Sequence, residues 1–172
     1  MKQNRSNLTP LACSFEMTNK LLLILLMAIV SSAAWAWERQ EDVDRMRGTK
    51  TSFTYTISLN KADFPFPYNG GSTLELNIRN RKQDGISVAL IIKKGQFTCH
   101  DECSIHAKFD DEKIERFGTT RSSSGKPDLI FISPNGRFIA KLKQSKKLTV
   151  EADFYKVGSE QFQFDVAGLQ LD

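Results

Sequence analysis

The sequence predicts a mainly β domain, an antiparallel β-sandwich with one short α-helix. Three observations lead there. Apolar and polar residues alternate with period 2 in several short runs, the pattern of strands with one buried face. Turn-forming residues separate those runs every ~8–12 residues, as in sandwiches and barrels. Phenylalanine is plentiful, 12 copies in 172 residues, most of them beyond residue 50; aromatic residues suit pleated, half-buried surfaces.

The elements follow in chain order. Lys20 precedes an apolar run from Leu21 to Val30, which ends in Ala34-Trp35-Ala36. A positive start, a short apolar core and an A-x-A ending describe a secretory signal. The run is shorter than the ~20 apolar residues a membrane anchor needs. Cleavage is expected after Ala36, leaving Trp37 first and no stable membrane span. Met17 is a second candidate start. Cys13 precedes the apolar run, so it is not a lipid-attachment cysteine. Residues 1–36 are therefore expected to be an n-region extension and signal peptide. Residues 37–50 form a polar lead-in, loosely ordered or draped on the domain. Residues 51–172 form a single domain.

Within the domain, Phe53 to Leu59 has apolar odd positions and polar even ones. Asp63 to Gly71 interrupts it with two prolines and two glycines, a loop. Leu74, Leu76 and Ile78 alternate next. After a turn at Gln83-Asp84-Gly85, Ile86 to Ile92 is nearly all apolar, as in a strand buried on both faces. Cys103, Ile105, Ala107 and Phe109 alternate with polar residues up to a turn at 110–113. Arg121 to Pro127 is a loop by composition, and Leu129 to Ile132 is a short strand. Ser133-Pro134 reads as an N-cap followed by proline in the first helical turn. Phe138, Ile139 and Leu142 then mark one apolar stripe of a short helix. Leu148 to Tyr155 and Phe162 to Val166 read as a final hairpin.

The charge balance excludes one class of partner. The full chain has a net charge of +4, and residues 1–36 hold three basic residues and one acidic one. The rest carries only +2, without the concentrated basic footprint of a nucleic-acid binder.

Cys99-His100-Asp101-Glu102-Cys103 is the sharpest local feature. A structural disulfide between Cys99 and Cys103 fits an oxidising compartment and an even thiol count. A metal site would use Cys99, His100, Cys103 and His106, donors that suit zinc or copper. Against it, the spacing is not a strong zinc pattern, and His106 faces away from Cys103 on a strand. A catalytic redox pair usually has two intervening residues at a helix start; here there are three, between strands. No cofactor is expected. Asp110, Asp111 and Glu112 suit either a solvated acidic turn or calcium. Lys141, Lys143, Lys146 and Lys147 suit either a solvated helix back or an anionic surface. Phe64, Phe66 and Tyr68, with the Cys99–Cys103 turn, form a candidate binding surface, since aromatic loop residues make good interface anchors. The alternative is a loop that caps the domain.

Six segments recur together as a set. They are Asp44 to Gly48, Phe66 to Ser72, Gly95 to Cys99, Phe109-Asp110-Asp111, Phe131-Ile132 and Phe162 to Leu169. As a set they resemble a group of uncharacterised exported, periplasmic or secreted proteins of proteobacteria and some of their mobile elements. There is a fainter likeness to invasion-associated locus B proteins, which are exported, mostly β and cysteine-bearing. The resemblance implies an envelope address and a compact domain, and it implies no activity. Relatives often carry glycine where this chain has Glu112, which leaves the type of that turn open. The function expected is a non-enzymatic module that binds another envelope protein or a cell-wall component. A metal-binding protein and a cell-wall-acting enzyme are the alternatives.

Overall fold

The computed structural model describes residues 36–100 and 102–171. Apart from Ala36, the expected signal segment lies outside them, as do Cys13, Met17 and Asp101. Among the described residues, nine strands and one helix follow in order: β1 (Glu38–Asp44), β2 (Thr49–Ile57), β3 (Thr73–Arg81), β4 (Gly85–Lys93), β5 (Glu102–Phe109), β6 (Glu115–Arg121), β7 (Leu129–Ser133), α1 (Asn135–Leu142), β8 (Lys147–Phe154) and β9 (Gly158–Asp165). The domain is mainly β, and every strand pair is antiparallel.

All nine strands belong to one hydrogen-bonded sheet, in the order β1-β2-β3-β4-β7-β6-β5-β8-β9. The facing layers of the expected sandwich are thus parts of one continuous sheet around one core. That core takes Leu74, Leu76 and Ile78 from β3 and Phe162, Phe164 and Val166 from the far end of the sheet. The two ends are tied together. The Leu59 N–H donates to the Gln163 carbonyl (2.7 Å), and Asn60 bonds both the Gln161 carbonyl and the Gln163 N–H. The Trp37 indole N–H donates to the Val166 carbonyl (3.1 Å), and the Arg39 guanidinium to that of Gln170.

The segment expected as a lead-in is β1. Its side chains are exposed, so burial does not hold it. Its pairing with β2 does, together with Trp37, which is buried. The turn between them is built by Asp44, whose carboxylate accepts from the Met46 and Arg47 N–H groups (2.9 and 3.1 Å). The same carboxylate pairs with the Arg47 guanidinium, and these bonds hold its pKa below the usual value. Gly48 supplies the left-handed residue that closes the turn (φ 65°).

β2 turns its alternation the opposite way to a simple amphipathic strand. Thr54, Thr56 and Ser58 are buried, while Ile57 and Leu59 are 45% and 72% exposed. The pairing gives the reason. Thr56 lies opposite Leu76 and Thr54 opposite Ile78, whereas Ile57 lies opposite Glu75. Opposed residues share a face, and β3 has only one apolar face. Extending the β1–β2 register by one residue puts Trp37 opposite Thr56. The small threonines leave room inside for that indole.

β6 has no counterpart among the expected strands. Only Phe117 is a large buried apolar residue in it, so its alternation is faint. It forms because β5 and β7 pair with it on both sides. The helix begins one step later than its sequence signal. Ser133 ends β7 and Pro134 is the N-cap, without a side-chain bond. Phe138 and Leu142 enter the core as expected. The Phe138 ring sits edge-on to Phe109 and Phe117, at 5.3 and 5.1 Å between centroids. A second aromatic cluster joins Phe64, Phe97 and Phe162 through Phe154.

Candidate functional site

The loop 63–71 leaves the sheet after an isolated bridge between Ala62 and Ser72. Its two prolines keep it out of the ladder. The three aromatic residues singled out in it take different places. Phe64 is 5% exposed, and its ring lies 5.1 Å from that of Phe154. It caps the core and is not part of a binding surface. Gly95 makes that possible, since a Cβ there would lie 2.7 Å from both the Phe64 ring and Ile92. Tyr68 is half-buried, and its hydroxyl accepts from the Gln96 amide (2.7 Å). Phe66 is 86% exposed.

Phe66 does not stand alone. The β8–β9 turn brings Tyr155, 55% exposed, to the same cleft of about 210 Å³. Pro65, Pro67, Tyr68 and Val157 also line it. The turn is shaped by Lys156 (φ 63°) and Gly158 (φ 93°). The Lys156 ammonium lies 5.4 Å from the Tyr155 ring centre, within cation–π range. Rigid rings, two prolines and one cation make a surface suited to stacking and apolar contact. Tyr155 carries no sequence signal for this role, because it continues the polar face of a strand. Nothing local marks that it meets a loop some ninety residues away.

Cys99 and Cys103 form a disulfide, with their Cα atoms 5.4 Å apart. Their sulfurs are bonded to each other, so the four-residue metal set is not assembled. His106 sits on the outer face of β5, 3.4 Å from the Glu151 carboxylate, and His100 is exposed. Among the described residues no three His, Cys, Asp or Glu side chains gather as a metal site.

The two charged runs are largely engaged with the fold. The Asp110 carboxylate accepts from the Lys146 and Lys147 N–H groups (3.0 and 2.8 Å), fastening the start of β8. Asp110 itself is left-handed (φ 45°), which defines the turn that the sequence left open. The Lys141 ammonium lies 2.6 Å from both Glu112 and Glu115. Those bonds, Glu112 first, raise its pKa above the usual lysine value.

Among the described residues no helix is long and apolar enough to cross a membrane. Comparison with protein-family models, curated proteins and solved structures finds no match for this chain.

Proposed function

We propose that the protein is an exported, non-enzymatic binding module. It acts in the periplasm or outside the cell on another envelope protein or a cell-wall component. The observation that carries the binding part is the cleft between the 65–68 loop and the 155–157 turn. Two large aromatic side chains, Phe66 and Tyr155, stand exposed on its rim. Exposed aromatic residues clustered at one place are the usual anchors of an interface. The export part rests on the signal-like segment ending at Ala36 and on a disulfide that an oxidising compartment supports.

Two measurements test the two parts. Intact mass of protein recovered from the envelope fraction should start at Trp37 and be two hydrogens below the reduced form. A chain retaining residues 1–36, or one with free thiols, would count against export. For binding, the wild type and a Phe66→Ser/Tyr155→Ser variant are compared for retention on isolated cell wall and on envelope proteins. The variant should fold normally and lose retention. Equal retention would reject this cleft as the binding surface.

A further inference from the structure

Two short segments meet at the aromatic cleft. Pro65 and Pro67 deprive one of them of backbone donors, so no strand covers Phe66. The other turns through the left-handed Lys156 and Gly158, which leaves Tyr155 outside the hairpin. None of the eight residues that line the cleft is buried, so each can meet a ligand from solvent. At about 210 Å³ the space is smaller than sites that enclose a whole drug-sized ligand. An occupant of that size is one ring unit, with the rest of its chain lying across the surface.

Three kinds of group line it. Phe66 and Tyr155 offer exposed rings. The face of an aromatic ring is its negative part, so it attracts the weakly positive C–H groups of a sugar ring. Tyr68 and Gln96 offer polar atoms. The Tyr68 oxygen accepts from the Gln96 amide, which leaves the phenol proton to donate. The Gln96 side-chain carbonyl has no protein partner among the described residues and is not sealed from water. Lys156 is the only charged residue in the lining, and it makes no ion pair among the described residues. Its ammonium lies 5.4 Å from the Tyr155 ring centre, so a ligand resting against that ring has the cation next to it. A cleft whose single charge is positive and unpaired favours an anionic partner. A proline-rich peptide would use the rings and leave the cation idle. A carboxylated sugar uses the rings, the polar pair and the cation together.

We propose that the cleft takes the glycan of the cell wall, at a muramyl sugar whose lactyl carboxylate is free of peptide; this rests on the reading of the cleft as the binding surface. The sugar ring lies against Phe66 and Tyr155, and its carboxylate meets Lys156. The Tyr68 hydroxyl donates to a sugar oxygen, and the Gln96 carbonyl accepts from a sugar hydroxyl or acetamido N–H.

The experiment is a titration of the protein purified from expressing cells, followed by its amide resonances. The probes are the disaccharide N-acetylglucosaminyl-N-acetylmuramic acid, its neutral counterpart diacetylchitobiose, and a proline-rich peptide. The acidic disaccharide should bind and move the resonances of Phe66, Gln96, Tyr155 and Lys156. Diacetylchitobiose should bind about three- to fivefold more weakly, the factor an exposed ion pair allows. Lys156→Asn keeps a residue that tolerates the left-handed conformation. It should bind the two disaccharides equally, with the thermal midpoint unchanged. Phe66→Ser/Tyr155→Ser should weaken both by at least about tenfold. Three results would overturn the proposal: no binding of the acidic disaccharide up to about 10 mM, diacetylchitobiose or the peptide binding as tightly, or Lys156→Asn keeping the preference. After any of these, lost retention of the double variant on envelope proteins would still uphold the cleft as a binding surface. Unchanged disaccharide binding together with unchanged retention in that variant would reject both readings.

Discussion

In β9, Phe162 and Phe164 alternate with glutamines and point into the core. In β2, Phe53, Tyr55 and Ile57 alternate with threonine and point outward, while Thr54 and Thr56 face in. The two strands have the same pattern and opposite orientations. The difference lies in their neighbours. β9 pairs with β8, whose Leu148, Val150 and Ala152 turn inward beside it. β2 lies between β3, which has one apolar face, and β1, which brings Trp37 inside. A strand's alternation fixes which residues travel together, and its pairing decides which set is buried.

That contrast can be broken most strongly at β9. Phe162→Ala should cost about 3–5 kcal/mol, the usual loss for deleting a buried ring. Urea unfolding of the variant checks it. A loss under about 1 kcal/mol would mean that β9 is not the packed strand described.

The interior side of β2 is the next test. Thr56→Phe restores an apolar residue to a buried position, yet it should destabilise by about 1–3 kcal/mol, because Trp37 already fills that space. The penalty should shrink in the Trp37→Ala background, giving a coupling of about 0.5–3 kcal/mol in a double-mutant cycle. Additive effects would separate Thr56 from Trp37.

The outer side of β2 should respond least. Ile57→Ser should leave stability within about 0.5 kcal/mol, as for other surface positions. A loss above about 2 kcal/mol in the same denaturation experiment would show that Ile57 is buried.

A titration sharpens the comparison without any change in stability. The Tyr55 hydroxyl donates to Glu38 across the β1–β2 pair (2.7 Å), and that bond raises the phenol pKa above its usual value. A phenol held by a carboxylate keeps its proton to higher pH. Ultraviolet titration should therefore show one tyrosine ionising late, and Glu38→Gln should bring it down. If Tyr55 faced the core instead, Glu38 would have no influence on it.

The aromatic cleft and a cavity of about 470 Å³ beside the Cys99–Cys103 disulfide differ in how far they could be read from the chain. The composition of the 63–71 loop marks it as a loop with aromatic residues. It does not separate Phe64, which caps the core, from Phe66, which stands in solvent two residues on. The cavity draws on Phe97, Ile105, Arg116, Thr119, Ile130 and Asp153, from five different parts of the chain. No spacing rule links such residues, because the gap exists only where two strands stop pairing.

The sequence by itself determined the mainly β fold class, the helix stripe of Phe138 and Leu142, the Cys99–Cys103 bridge and the inward faces of β3, β5, β8 and β9. Each rests on a local property: a period of two or of 3.6, or two thiols close enough along the chain to meet. The tertiary structure alone decided the strand identity of β1 and β6, the reversed face of β2, the single continuous sheet and the cavity. The physical reason is common to all of them. A weakly patterned strand takes its hydrogen bonds from its neighbours, and a strand with two usable faces takes its orientation from the side on which a neighbour has already placed its apolar residues.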